Sequence, residues 1–84
     1  VSSEKIIKLG ELNKNQKALI VKVGRAGDVP EFIDRLLEMG LLEGSVVEVM
    51  HEAPFGGDPL AIRVRGALIA LRRNEANAVE VSIL

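Results

Sequence analysis

The sequence predicts a mainly β fold: a small barrel of about five strands with one α-helix inserted at about residues 30–39. Three observations point there. Leu60, Ile62 and Val64 alternate with Ala61, Arg63 and Arg65, and Ala67, Ile69 and Leu71 alternate with Leu68, Ala70 and Arg72 across Gly66, the period-two pattern of a half-buried hairpin. Residues 30–50 switch from a three- and four-residue apolar spacing to strict alternation, which encodes a helix, a turn and a strand in succession. The apolar content is 48% of 84 residues with only Phe32 and Phe55 as aromatics, so aliphatic and β-branched side chains must fill the core. At that length one domain, 1–84, is expected.

In chain order, Ile6, Ile7 and Leu9 open as a short extended piece or a single turn ending at Gly10. Residues 11–17 are polar, and Asn13, Asn15 and Gln16 mark a loop. Lys17 to Val23 reads as a strand with Leu19, Val21 and Val23 on the core face and Lys22 outside, with Ile20 also outside unless covered. Residues 24–28 form a turn into the helix, which begins with either Asp28 or Val29 as its cap. Phe32, Leu36 and Leu37 are its core contribution. Gly40 is expected to close it in the left-handed conformation, with Leu41 folding back onto Leu36. Val47 and Val49 point inward from the next strand.

Two prolines and two glycines make residues 51–59 a loop. The hairpin follows. Residues 73–77 suit one helical turn capped by Asn74, and Val79, Val81 and Ile83 form the last strand. Closing the sheet would protect its edges. These patterns fit a small barrel of the SH3-like or OB-like kind.

Composition removes several function classes. There is no cysteine, hence no disulfide framework or thiolate metal site. A net charge of −1 argues against a general nucleic-acid or membrane-surface role. No apolar run approaches the roughly 20 residues that span a bilayer, nor is there a signal-peptide core, so a cytoplasmic location is expected. His51 is the only histidine, and Glu52 and Asp58 alone stand near enough in sequence to share a metal with it. A surface histidine is the simpler reading. Ser45 and Ser82 have no neighbouring acid–base partner. Gly56-Gly57-Asp58 precedes a strand, whereas a phosphate loop opens a helix. Arg63, Arg65, Arg72 and Arg73 collect on the hairpin, but no aromatics interleave for base stacking, and Glu52, Glu75 and Glu80 are available as partners. No enzyme, cofactor or metal site is expected.

Several segments together resemble the FeoA family, ferrous iron transport protein A. These are Arg35-Leu36-Leu37-Glu38-Met39-Gly40-Leu41, then residues 44–49, then Ala53-Pro54-Phe55-Gly56-Gly57-Asp58-Pro59, and residues 64–76. The likeness runs from about Leu9 to the C-terminus. Glu43 stands where the family often has proline, and Gly56-Gly57 carries one glycine more than its commonest loop. The resemblance implies an SH3-like barrel, without cofactor or catalysis, in the cytoplasm. It implies as partner the ferrous iron permease FeoB, whose cytoplasmic part carries a GTPase domain and could recruit the chain to the inner face of the membrane. Nucleic-acid binding and direct membrane insertion are not implied, and a weak homo-oligomer stays open. The alternative is the SH3-like regulatory domain of an iron-dependent transcriptional repressor, although the chain shows no helix-turn-helix of its own.

A binding protein of this size needs apolar side chains that its core does not consume. Phe55, Leu42, Met50 and Leu68 are left over, so they are the expected partner-binding residues, with Arg35 as a charged rim. Phe55 has two readings: an anchor for the partner, or a lid on the barrel.

Overall fold

Arg65 and Gly66 hold positive φ, 51° and 82°, the geometry of a two-residue hairpin turn. The computed structural model, which describes residues 5–54 and 56–84, pairs the flanking strands with Val64 opposite Ala67 and Leu60 opposite Leu71. Among the described residues six strands form: β1 (Ile6–Lys8), β2 (Lys17–Val23), β3 (Val46–Glu52), β4 (Leu60–Val64), β5 (Ala67–Leu71) and β6 (Val79–Ile83). They make one antiparallel sheet in the order β1-β6-β2-β3-β4-β5. The opening segment, left between strand and turn by the sequence, is both: β1 runs directly into a 3₁₀ turn at Leu9–Glu11.

Ala18, Ile20, Val47, Val49, Ile62 and Val81 belong to a single buried cluster. One side of every strand from β2 to β6 reaches that cluster, so the sheet must curl around it. Among the described residues the curl is not sealed by strand pairing: β1 pairs only with β6, and β5 only with β4. The gap is bridged by the 3₁₀ turn packing on α2, a single helical turn at Arg73–Ala76. There Leu9, Leu12, Ala76 and Ala78 are buried. The contact is close enough to require glycine, since a Cβ at Gly10 would lie 2.9 Å from the Arg73 carbonyl oxygen and 2.1 Å from Asn77 Oδ1.

The long helix, α1 (Pro30–Glu38), starts with Val29 as cap and Pro30 at its first position. Pro30 lacks an N–H that would be unsatisfied there in any case. Asp28 is occupied elsewhere: it accepts the Arg25 backbone N–H at 2.7 Å. At the other end Gly40 has φ 97°. Leu41 N donates to Leu36 O at 3.2 Å and Gly40 N to Leu37 O at 2.9 Å, the paired bonds of a left-handed helix stop. Leu36 and Leu41 are both fully buried, as the sequence leads one to expect. Gly40→Val is therefore expected to cost roughly 1–3 kcal/mol, because a β-branched residue is strained at that φ. Thermal melts of the two proteins measure it, and equal melting temperatures would contradict the assignment.

Four expectations are corrected. In β2 the buried residues are Ala18 and Ile20, while Leu19 and Val21 are half-exposed. A bulge between Ile20 and Lys22 then changes phase, so Val23 returns to pack on the core. Leu37 is exposed and Leu36 is the one fully buried residue of α1, because two turns of helix meet β2 along a narrow line. Leu12 is buried inside the segment read as a polar loop. Arg72, not Asn74, caps α2, where the Glu75 carboxylate accepts the Arg72 N–H at 3.0 Å.

Candidate partner-docking surface

Arg73 holds together the ground on which any docking surface stands. Its guanidinium donates to the Gly10 carbonyl at 2.6 Å, the Gly57 carbonyl at 2.8 Å and Glu52 Oε1 at 2.6 Å. Its backbone N–H donates to Asp58 Oδ1 at 3.0 Å. One planar fork thus ties the first turn, the end of β3 and the β3–β4 loop to α2, which a point-like ammonium could not do. The Arg73–Glu52 pair is one that the sequence offered.

Apolar side chains are exposed on both the helix side and the sheet side of the molecule. On the helix side, the β2–α1 loop, the start of α1 and α2 enclose an open groove of about 390 Å³ lined by Arg25, Asp28, Val29, Phe32, Asn74 and Glu75. Arg35 borders it. Its guanidinium carbon lies 5.8 Å from the centre of the Phe32 ring, one helical turn away, in cation–π range. It also forms an ion pair with Glu75, forty residues on, which no sequence spacing announces. Across the mouth, Arg25 clamps Asp28 through Nε and Nη2, both at 3.1 Å.

The Arg25 side-chain hydrogen bonds hold the Asp28 carboxyl below its ordinary 3.8, helped by the Arg25 N–H and charge and opposed by desolvation. A carboxylate with a depressed folded-state pKa contributes stability above its unfolded value and loses it as pH falls through the folded one. The melting temperature of the native protein should therefore fall toward that of Asp28→Asn as pH drops below 3.8. A gap that stays constant on acidification would contradict the clamp.

On the sheet side, Leu68 is 59% exposed on β5. Its cross-strand neighbour is Arg63 on β4, which in turn faces Glu48 on β3. Met50 is half-buried at the bulge in β3. Leu42 is 37% exposed in the α1–β3 turn. Leu68 and Met50 thus share the curled sheet, while Arg35 is engaged on the helix side with Phe32 and Glu75. Phe55 lies outside the described residues.

His51 is exposed at the end of β3. Among the described residues no three His, Cys, Asp or Glu side chains converge, and no helix is long and apolar enough to cross a membrane.

Comparison with known proteins places this fold. The FeoA domain model matches residues 7–83. The chain belongs to the FeoA family. An iron uptake regulatory protein (FeoA) is 26% identical, with a TM-score of 0.81 over 95% of this chain and 100% of the other. FeoA of Chlorobium tepidum is 36% identical, with a TM-score of 0.81 over 93% and 70%. FeoA of Stenotrophomonas maltophilia, a prokaryotic SH3 domain protein solved with zinc, is 32% identical, with a TM-score of 0.79 over 89% and 88%. Among curated proteins no sequence matches this chain. A manganese-dependent transcriptional repressor superposes with a TM-score of 0.82 at 18% identity, covering 45% of its own length. That likeness shows the fold alone. This FeoA domain is SH3-like, and its family membership supports a role in ferrous iron transport.

Proposed function

We propose that this FeoA domain is a non-enzymatic accessory protein of ferrous iron uptake that binds the cytoplasmic, GTPase-bearing part of the permease FeoB. The observation that carries the reading is the FeoA match across residues 7–83. The surface supports it: Leu42 and Leu68 are exposed beyond what the core uses, and exposed apolar surface marks sites of protein contact. Leu42, Met50 and Leu68 form the proposed contact, Arg35 a charged flank, and Phe55 joins them on sequence grounds.

The test is retention from solubilised membranes on the immobilised chain. Recovery of the permease supports the proposal. Recovery of DNA, or of a soluble regulator in its place, would contradict it and favour the domain of an iron-dependent repressor.

A further inference from the structure

We propose that the outer edge of β5 accepts an extended, acidic strand from a partner protein as a seventh strand of the sheet. Among the described residues β5 hydrogen bonds to β4 alone. The two-residue turn makes Val64 and Ala67 a hydrogen-bonded pair, and bonded and non-bonded pairs then alternate along the hairpin. Ile69 opposite Ile62 and Leu71 opposite Leu60 are bonded pairs, whereas Leu68 opposite Arg63 and Ala70 opposite Ala61 are not. The N–H and C=O groups of Leu68 and Ala70 therefore point away from β4, two residues apart, at the spacing an added strand needs.

Natural edges are usually guarded by charge, proline or a bulge. This one reads Ala67-Leu68-Ile69-Ala70-Leu71, with no such device inside it and Ala67, Leu68 and Ala70 exposed.

Charge selects the occupant. Arg63 flanks Leu68 across the hairpin, Arg65 stands in the turn and Arg72 follows the strand. All three are exposed, and among the described residues none of them is in an ion pair. A second copy paired antiparallel about Ile69 would set each Arg72 against the other copy's Arg65–Gly66 turn, a like-charge clash at both ends. An extended segment alternating apolar and acidic residues meets the free backbone groups and the arginines together. The proposal rests on the FeoB reading only for which protein supplies the strand.

The probes are two blocked nine-residue peptides, one alternating valine with glutamate and the other valine with lysine, titrated into the whole chain by amide NMR. The expected result is that the glutamate peptide shifts the Leu68 and Ala70 amides most and binds about tenfold tighter than the lysine peptide. Ala70→Pro removes only an N–H that faces away from β4, a position where an edge strand tolerates proline, and should abolish the response. The exposed double substitution Arg63→Gln with Arg72→Gln tests the charge without setting a carboxylate opposite Glu48 or altering the positive-φ turn residue Arg65, and should remove the peptide preference. Shifts centred elsewhere, equal binding of both peptides by the native chain, no binding of either, or concentration-dependent dimers through β5 would each overturn the proposal. If the cytoplasmic part of the permease binds Ala70→Pro and the native chain alike, the edge proposal falls while the FeoB reading stands.

Discussion

Leu36→Ala should destabilise the protein by roughly 2–5 kcal/mol, the range for truncating a buried leucine whose surroundings cannot collapse. Leu36 is the one fully buried side chain of α1, and it also accepts the bond that stops the helix, from Leu41 N at 3.2 Å. In a chain of 84 residues, each kcal/mol moves the melting temperature by roughly 4–8 °C, so a drop of about 10 °C or more should be seen. Leu37→Ala provides the contrast. Leu37 is exposed, and its loss should cost about 1 kcal/mol or less. Equal shifts for the two variants would mean that α1 is docked by a different face.

The second large effect is expected at Arg73. Arg73→Ala would leave the Gly10 and Gly57 carbonyls and the Glu52 carboxylate without their donors. Hydrogen bonds to a charged group contribute about 1.5–3 kcal/mol each when buried. The side chain is 32% exposed, so screening reduces the total, and a net loss of about 2–3 kcal/mol is expected. Arg73→Lys should recover only part of it, because an ammonium cannot span three acceptors in a planar fork. Denaturant titrations of the three proteins decide it: the midpoint should fall at similar slope. Full recovery by lysine would show that charge alone, rather than the fork, joins α2 to the first turn.

How legible the fold was in the sequence depended on whether a residue's local neighbours determined its fate. Gly40 and Leu41 were readable because a helix stop is encoded within six residues. The β4–β5 hairpin was readable because Arg63 and Arg65 break the apolar pattern at every second position. β2 was not: residues 18–21 are all apolar, and only tertiary packing chose Ala18 and Ile20 for the core. Val23 is in phase with Leu19 by sequence alternation, and only the bulge after Ile20 turns it to the core side. Leu12 was hidden because an irregular segment has no period to betray a buried residue.

The surface divides in the same way. That Leu68 and Leu42 would be exposed followed by subtraction, since the alternating patterns claimed other residues for the core. The groove beside Phe32 did not follow, because the Arg35–Glu75 pair joins residues brought together only when the sheet curls. Nor did the edge at β5, because closing the barrel by strand pairing was the natural expectation. The close approach of the first turn to α2 is what replaces that pairing.

Calorimetric titration of the purified cytoplasmic part of FeoB into this chain tests the central claim most directly. The account predicts saturable one-to-one binding with a Kd on the order of 10 µM or tighter. It predicts a loss of about tenfold or more for Leu42→Asp combined with Leu68→Asp, a variant whose exposed positions leave the melting temperature nearly unchanged. Absence of saturable binding by the folded native chain would contradict the account, and equal binding by the double variant would contradict the surface assigned to it.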